Sequence, residues 1–358
     1  MRQVRVLLIA PSLHILGGQA VQAHRLMAGM QSEPSVKMGF LPFNAPLPAL
    51  LPLLRPLKYV RTVVTLALYL ARLAATAWRY DVIHIFTAAY YSYLLWSVPA
   101  ILLGRLYGKR IIVNYRDGQC EDHLRNWRTA LPTLRLAHAI VAPSGFLVHV
   151  MQQFGLEAQA IFNILDIDHF HYRQRSRVRP VFMTNRMLEP LYNVECILRA
   201  FAIIQRGYPE ATLNIAHDGP SRSGLEALAR ELHLQNVEFL GGVPHDRVAA
   251  LYDAADIYLT TPNIDCMPGS LLECFASGIP VIATNAGGIP YILTHESTGL
   301  LVSVNDHEAV AQAAFRLVDD PELAERLTRN AREECERYRW SEIRDQWVPL
   351  YHRLAAEK

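Results

Sequence analysis

Cysteine is scarce in this sequence and shows none of the spacings that a disulfide framework or a zinc site requires. The five cysteines are odd in number and scattered, and no C-x-x-C pair occurs. Disulfide-stapled folds and structural zinc sites both depend on such patterns. The sequence therefore predicts a protein of a reducing compartment, which makes a cytoplasmic location the expectation, and it predicts no metal site.

The beginning of the chain also lacks the long apolar run of a signal peptide. Only five apolar residues lie between Arg5 and Pro11, and the run is too short for the core of such a peptide. We therefore interpret residues 4–10 as a first β-strand.

Acidic residues are almost absent between Glu33 and Asp117, where Asp81 stands alone among ten Lys and Arg. Residues 1–170 carry 16 Lys and Arg against 8 Asp and Glu, whereas residues 171–358 carry 19 against 25. This asymmetry indicates that the two halves face different partners, although ordinary surface variation would also produce it. No nucleic-acid partner is expected.

Short apolar runs alternate with helical patterns over residues 1–168 and again over residues 181–336. The segment 169–180 is basic and non-periodic, which is typical of a linker. Two successive runs of alternation predict two doubly wound, Rossmann-like α/β domains facing across a cleft. Residues 337–358 are predicted to form a C-terminal helix returning towards the first domain. The predicted elements are the strands Val4–Ala10, Asp81–Phe86, Arg110–Tyr115, Ala139–Ala142, Val181–Thr184, Thr212–Ala216, Val237–Leu240, Asp256–Thr260 and Val281–Thr284, and the helix Ala20–Met30.

Two apolar segments of the first half are long enough to be compared with membrane spans. Residues 82–104 carry no formal charge, but a strand-like V-I-H-I-F start and Pro99 favour a buried strand followed by a helix. Residues 57–80 are interrupted by cations, which argues against a span, and on a helix these cations fall within one narrow arc. Such a helix fits an anionic lipid interface, and equally a helix packed on the sheet. The cations are Lys58, Arg61, Arg72 and Arg79.

Two loops that follow predicted strands are suited to phosphate binding. The first leads through Gly17 and Gly18 into a helix, whose N–H groups and dipole favour an anion. The second carries Asp265 ahead of a helix that is predicted to begin near Gly269.

Glu273 lies one turn into that second helix, where a carboxylate can accept hydrogen bonds from a ribose diol. The N–H groups of Ser270 and Leu271 are predicted to be exposed and to hold a diphosphate. Because Ser270-x-x-Glu273 is also the pattern of a helix capping box, the local sequence leaves both interpretations open.

Taken together, these motifs resemble those of the retaining glycosyltransferases of family 4, which have the two-domain GT-B architecture. The resemblance extends from Val4 to about Leu354 and favours donor binding for Glu273. The segments that carry it are Asp265-x7-Glu273, Ala276-Ser-Gly278-Ile-Pro280-Val, Gly287-Gly288-Ile-Pro290, Asp218-Gly219-Pro220, Phe239-Leu240-Gly241, Thr298-Gly299-Leu-Leu-Val302 and Phe162-Asn163-Ile-Leu-Asp166.

The resemblance implies a nucleoside-diphosphate sugar as donor, no cofactor or metal, and transfer with retention of anomeric configuration. Glu273 would bind the donor ribose, Arg186 would stabilise the leaving diphosphate, and Asp265 would contact the sugar hydroxyls. Catalysis would then rest on orientation and electrostatic stabilisation. The implied donor-binding residues are Gly17, Gly18, Arg186, Asp265, Cys266, Met267, Pro268, Gly269, Ser270, Leu271 and Glu273, and the catalytic candidates are Arg186, Asp265 and Arg116.

The sequence departs from the family pattern at three of these places. Leu191 stands where the family has a diphosphate-binding lysine, and no lysine occurs between Lys109 and Lys358. An arginine or a helix terminus must therefore supply that charge. Arg116 stands at the position of a family histidine near the reacting carbon, and Asp265 is one methylene shorter than the usual glutamate.

Four residues of the first half are candidates for the acceptor side. They are Arg116, His14 on the N-terminal loop, and Asp122 and His123, which follow Arg116 by six and seven residues. Asp122 and His123 would be acid–base groups of the cleft, or else part of a solvated loop or a structural salt bridge.

Three functions stay open on this sequence. The first is a glycosyltransferase with an unidentified acceptor, working either in solution or at the inner face of an anionic membrane. The second is a sugar-nucleotide epimerase of the same fold, which would need two or more acid–base residues. The third is a non-catalytic nucleotide-sugar-binding or partner subunit, which the absent lysine would suit.

Overall fold

The chain folds into two compact units. The computed structural model describes residues 3–12, 17–44, 58–175 and 177–357, with the backbone alone at residues 58, 59, 245 and 246. Unit 1 comprises Met1–Ile164 together with Trp340–Lys358, and unit 2 comprises Leu165–Arg339.

Unit 1 is built on one parallel sheet. Its strands are β1 (Val4–Ala10), β2 (Val36–Pro42), β3 (Val82–Thr87), β4 (Arg110–Tyr115), β5 (Ala139–Ala142) and β6 (Gln159–Ala160). Its helices up to residue 164 are α1 (Gly18–Met30), α2 (Lys58–Thr76), α3 (Tyr90–Ser92), α4 (Val98–Leu106), α5 (Cys120–Asn126), α6 (Ala130–Leu134) and α7 (Gly145–Gln153). The strand order is β2-β1-β3-β4-β5-β6. The central strands are buried almost throughout, as expected where helices cover both faces of a parallel sheet.

Unit 2 repeats this plan. Its strands are β7 (Val181–Thr184), β8 (Thr212–Ile215), β9 (Val237–Phe239), β10 (Ile257–Thr260), β11 (Val281–Thr284) and β12 (Leu300–Val302). Its helices are α8 (Val194–Gly207), α9 (Arg222–Glu231), α10 (His245–Ala254), α11 (Gly269–Ser277), α12 (His307–Asp319) and α13 (Pro321–Glu334). The order β12-β11-β10-β7-β8-β9 reverses between β7 and β10. Such a switch point is where open α/β sheets bind ligands, beyond the carboxyl ends of the strands.

The last helix, α14 (Trp340–Ala356), belongs to unit 1 although it follows unit 2 in the chain. Ile343, Trp347 and Tyr351 of this helix are buried in the same apolar core as the strands β1 and β3.

The basic segment predicted as a linker, residues 169–180, is an integral part of unit 2 rather than a free connection. Arg173 and Arg179 donate hydrogen bonds to the fully buried carboxylate of Asp256. Burial opposes the charge of Asp256, but the hydrogen bonds from Arg179 and Arg173 outweigh it and lower its pKa. Buried Arg175 donates to the carbonyls of Tyr252 and Ala255. The arginines of this segment thus make structural contacts, which its lack of periodicity did not reveal.

The predicted fold class, two doubly wound α/β domains, is confirmed, and the nine predicted strands are present with ends that differ by at most one residue. Three strands, β2, β6 and β12, were not predicted. The strand β6 has two residues and β12 has three, while β2 is an edge strand interrupted by Lys37 and Gly39. None of the three therefore carries a long apolar run.

Helix α2 packs only one flank on unit 1. Tyr69 and Leu73 are buried, as is Ala77 in the turn that follows the helix, whereas Val60 and Val63 are exposed. Within the described residues, the stretch 60–79 is the one helical segment long and apolar enough to cross a membrane by length and composition, and 17% of that stretch is buried inside the protein. The helix therefore presents much of its apolar surface to solvent.

Candidate functional site

The loops after β7 and β10 bring Arg186 and Asp265 together at the switch point of the second sheet. The two strands pair in parallel, so their carboxyl ends lie side by side. The guanidinium of Arg186 donates to the carboxylate of Asp265 and, at 3.2 Å, to the hydroxyl of Ser270. It also lies 4.4 Å from the centre of the Tyr192 ring, a cation–π contact. Two of the predicted catalytic residues thus form one ion pair.

This ion pair is largely removed from solvent, with side-chain exposures of 12% for Arg186 and 11% for Asp265. Burial opposes the charge on Arg186, but the carboxylate of Asp265 outweighs it and holds the arginine pKa above its ordinary value. Within the described part of the chain, the Nε of Arg186 is buried and has no hydrogen-bond partner. One donor of the guanidinium is therefore uncommitted.

Glu273 lies in α11 and accepts a hydrogen bond of 3.0 Å from the hydroxyl of Tyr252. That hydroxyl accepts in turn from Asn185, whose side-chain oxygen accepts from Tyr258 at 2.7 Å. Glu273 is 8% exposed. This network fixes the Glu273 carboxylate beside the loop that carries Arg186, and no sequence motif pointed to its two tyrosines.

The capping-box interpretation of Glu273 is wrong. The helix α11 begins at Gly269 with Pro268 as its N-cap, and no side-chain hydrogen bond caps it. Ser270 is thus the second helical residue and Glu273 the fifth, whereas a capping box needs the serine at the N-cap and the glutamate three residues later.

The loop ahead of α11 is held by the Gly287-Gly288 pair. The N–H group of Gly288 donates to the carbonyl of Asp265 at 2.7 Å. A Cβ atom on Gly287 would collide with the carbonyl oxygen of Asp265, and one on Gly288 with that of Cys266. Gly287 also has a φ of +55°, which disfavours other residues. The glycine motif of the second half therefore positions the predicted donor loop.

The structure contradicts part of the prediction that the backbone of this loop contacts the donor. Met267, Pro268 and Leu271 are buried, and the N–H group of Leu271 donates to the carbonyl of Pro268. Leu271 is therefore not the exposed phosphate donor that the sequence suggested. Of the other predicted residues, Cys266 and Gly269 are half-buried and Ser270 is buried with its hydroxyl towards Arg186.

In unit 1, Gly17 and Gly18 stand at the start of α1, as predicted. Gly17 is its N-cap and Gly18 its first residue, and no atom of the described residues lies within 4 Å of where a Cβ on either would be. This accessible helix N-terminus has the geometry of an anion site. The prediction for His14 lies outside the described residues.

Arg116 follows β4 and is held by its neighbours. Its guanidinium donates to the side-chain oxygens of Asn163 and Asn114 and lies 4.6 Å from the centre of the Phe86 ring. Asn114 contacts the buried His84, whose other ring nitrogen lies 2.8 Å from the Tyr351 hydroxyl. Arg116 is half-buried at the carboxyl end of the first sheet, where its acceptor-side role stays a prediction.

The prediction of His123 as an acceptor-side acid–base group is wrong. Its side chain is fully buried in α5 among Tyr90, Tyr93, Tyr115 and Trp127, and burial lowers its pKa to about 4. An aromatic core surrounds this ring, so no acceptor can reach it.

Asp122 is exposed next to His123 but is engaged in structure. Its carboxylate accepts hydrogen bonds from the Tyr90 hydroxyl at 2.6 Å and from Asn126 at 2.7 Å. It is therefore neither the salt bridge nor the free loop residue considered from the sequence, and its role towards an acceptor stays untested.

The part of the chain that the structure describes contains no group of three or more potential metal-binding side chains.

Comparison with known proteins identifies the domain that carries the Arg186 site. Residues 171–334 match the family model described as glycosyl transferases group 1. N-acetyl-alpha-D-glucosaminyl L-malate synthase of Bacillus anthracis is 29% identical over 215 residues, which cover 57% of this chain and 56% of that protein. D-inositol 3-phosphate glycosyltransferase of Saccharomonospora viridis is 32% identical over 179 residues, which cover 47% of this chain and 42% of that one. The chain thus spans about half the length of these curated relatives.

A solved structure resembles the whole chain. HepE of Anabaena, crystallised with UDP and glucose, aligns with a TM-score of 0.78 over 97% of this chain and 99% of its own, at 18% identity. This likeness shows the fold alone. Residues 171–334 thus match a glycosyl transferases group 1 domain, in agreement with the predicted enzyme class, while assignment to family 4 and retention of configuration stay predictions.

Proposed function

We propose that the protein is a retaining glycosyltransferase that uses a nucleoside-diphosphate sugar held by unit 2. The observation that carries this proposal is the arrangement at the switch point, where Arg186, Asp265 and Glu273 lie at the carboxyl ends of β7 and β10 inside the glycosyltransferase domain. UDP in the HepE crystal structure supports a UDP-sugar as the first donor to test.

In the proposed reaction, the bond between the sugar and the diphosphate breaks and the nucleoside diphosphate leaves with the bonding electrons. An acceptor hydroxyl forms the new bond to the same carbon and loses its proton. Arg186 would stabilise the charge that develops on the diphosphate, because its planar fork can donate to two phosphate oxygens. Glu273, held by Tyr252, would accept from the ribose hydroxyls, and Asp265 would orient the sugar.

The N-terminus of α11 would replace the charge of the absent lysine. This helix begins at Gly269, and its second residue, Ser270, accepts a hydrogen bond from Arg186. A helix N-terminus carries about half a positive charge, which is favourable beside a phosphate. The guanidinium and the helix end would thus act together where the family uses two side-chain cations.

We further propose that the enzyme works on the inner face of an anionic membrane and binds it through α2. The exposed side of this helix is apolar, and Arg61, Arg72 and Arg79 are exposed along its rim. Its buried flank packs on unit 1, which favours a helix lying in the interface over one crossing the bilayer. The acceptor would then be linked to a lipid of that membrane.

The experiment for the transferase is a screen of nucleotide sugars for a rise in Tm and for slow hydrolysis without acceptor. We expect one donor to raise Tm and to release its nucleoside diphosphate and free sugar, with Arg186→Ala as the inactive control. An epimeric nucleotide sugar as product would identify an epimerase instead. No change of Tm with any nucleotide would favour the non-catalytic subunit.

A further inference from the structure

We infer that unit 1 carries a second ligand site, a cleft that binds the phosphate group of an anionic membrane lipid; this inference rests on the membrane location proposed above. The cleft has a volume of about 590 Å³. Asp81, Arg110 and His138 line it, and each stands at or just before the first residue of a strand. It therefore lies at the amino-terminal edge of the first sheet, the edge opposite to Gly17 and Arg116.

The cleft carries more cations than carboxylates once the ion pair between Arg5 and Asp81 is set aside. Four of the lining side chains are Arg or Lys and two are carboxylates. Arg5 and Asp81 neutralise each other through hydrogen bonds of 2.9 and 3.1 Å. The other carboxylate, Glu357, forms no ion pair with the cations within the described ranges. The three remaining cations, none of which has an ion-pair partner among the described residues, are Arg105, Lys109 and Arg110.

His138 lies in contact with two N–H donors on the wall of the cleft. The N–H group of Ile111 donates to Nδ1 of His138 at 3.1 Å, and Nη1 of Arg105 lies 2.9 Å from its Nε2. Burial, with Arg110 and Arg105, lowers the pKa of His138, so the ring is neutral and has one lone pair.

A neutral ring can accept from Ile111 or from Arg105 but not from both, and its tautomer decides which. A phosphate oxygen near the ring can accept from Arg105 and from the neighbouring cations, and Arg and Lys are the side chains that most often bind phosphate. The unpaired cations of the cleft thus point to a phosphate as its ligand.

The rim of the cleft shows why a lipid fits better than a free phosphate ion. Leu102, Arg105 and Leu106 share one exposed face of α4, because residues three and four apart on a helix are neighbours. Leu102 is 50% exposed and Leu106 is 78% exposed. The Tyr107 hydroxyl donates to the carbonyl of Ala74 and ties this end of α4 to α2.

The exposed apolar residues are concentrated on α2 and α4, the two helices joined by this hydrogen bond. Of the eight large apolar side chains exposed in the described part of the chain, six lie on α2, on the turn after it or on α4. A soluble anion needs no such surface, whereas a lipid bound by its phosphate places its acyl chains next to the head group. The six residues are Val60, Val63, Leu70, Trp78, Leu102 and Leu106.

The test is vesicle binding by the full chain. Two vesicle preparations in phosphatidylcholine are matched in surface charge, one with phosphatidylglycerol and the other with cholesteryl hemisuccinate, whose charge is a carboxylate. We expect tighter binding to the phosphatidylglycerol vesicles. The triple variant Arg105→Gln, Lys109→Gln, Arg110→Gln should bind them about 100-fold more weakly, since each cation near an anionic surface contributes about one kcal/mol.

The control is a variant of unit 2 with the same change in net charge, Arg206→Gln, Arg230→Gln, Arg247→Gln, which should bind the phosphatidylglycerol vesicles nearly as tightly as the wild type. Melting curves verify that both variants are folded. Equal wild-type binding to the two vesicle types, or equal binding by the two triple variants, would overturn the lipid–phosphate site. Hydrolysis of the donor by the wild type is measured in a separate assay without vesicles. That assay tests the transferase proposal, and vesicle binding tests the lipid–phosphate site, so either proposal can fail without the other.

Discussion

Arg186 and Asp265 are 79 residues apart in the chain and form an ion pair at the switch point of the second sheet. The cation and the carboxylate expected to serve the donor are thus bound to each other. A diphosphate that reaches Arg186 must share this guanidinium with Asp265, whose negative charge repels it. The uncommitted Nε donor and the nearby N-terminus of α11 favour the phosphate in this competition.

The first prediction follows from this competition. Asp265→Asn should raise the affinity for the free nucleoside diphosphate by about tenfold, or about 1.4 kcal/mol, because a repelling charge is lost. The same variant should transfer sugar more slowly, because Asp265 no longer orients the sugar. Calorimetry with UDP and a donor-hydrolysis assay measure the two effects. A weaker affinity for UDP would show that Asp265 does not compete with the phosphate.

Arg186→Ala should abolish detectable binding of the free nucleoside diphosphate. The variant removes the arginine that donates to Asp265 and Ser270, and it leaves the carboxylate without this cation. The double variant Arg186→Ala, Asp265→Ala is the control, since it removes the unpaired charge as well. If either variant bound UDP with undiminished affinity in calorimetry, the phosphate would be held elsewhere.

Glu273→Gln should lower transfer by on the order of 100-fold while changing Tm little, because a charge-assisted hydrogen bond contributes roughly 1.5–3 kcal/mol. The amide oxygen can still accept from the Tyr252 hydroxyl, and no side-chain hydrogen bond caps α11, so the substitution removes neither that contact nor a helix cap. Tyr252→Phe serves as the comparison for loss of that hydrogen bond alone. A sharp fall of Tm with near wild-type kcat/KM would assign Glu273 a structural role.

Replacing Arg61, Arg72 and Arg79 together by Gln should weaken binding to anionic vesicles and reduce its sensitivity to salt. The three arginines line the rim of the exposed side of α2, and salt screens such surface charges. Co-sedimentation at low and high ionic strength measures both effects. Absence of wild-type binding at low salt would leave a soluble enzyme with a soluble acceptor, whereas unchanged binding by the variant would show that α2 is not the membrane contact.

Unit 1 should lose stability as the pH falls below neutrality. Burial and nearby Arg116 lower the pKa of His84 to about 3, and burial lowers that of His123 to about 4. Between these values and the unfolded value of 6.5, the unfolded chain binds more protons than the folded one. Stability is therefore present above pH 6.5 and falls by about 1.4 kcal/mol per pH unit for each histidine as pH decreases through this window.

The variant His84→Gln tests this pH dependence, since it removes one titrating group and keeps a polar side chain next to Asn114 and Tyr351. Its denaturant midpoint should change less between pH 7 and pH 5 than that of the wild type. Identical shifts in both proteins would show that His84 does not contribute to acid sensitivity.

The fold class, the positions of the central strands and the loops of the candidate site follow from the sequence alone. Apolar runs with local breaks reveal buried parallel strands, and glycine motifs reveal loops, because both depend on neighbours in the chain. The strands β2, β6 and β12 were not predicted because their own sequences are short or interrupted. They become strands by pairing with a longer partner.

The contacts that the side chains of these loops make come from the tertiary structure. It paired Arg186 with Asp265, enclosed His123 among aromatic rings and bound the presumed linker to Asp256. It also gathered Arg105, Lys109 and Arg110 around one cleft. Desolvation and charge pairing depend on what packs around a group, and those neighbours come from distant parts of the chain. Spacing in the sequence identifies which residues can perform the chemistry, and packing sets their charge, their partners and their access to a ligand.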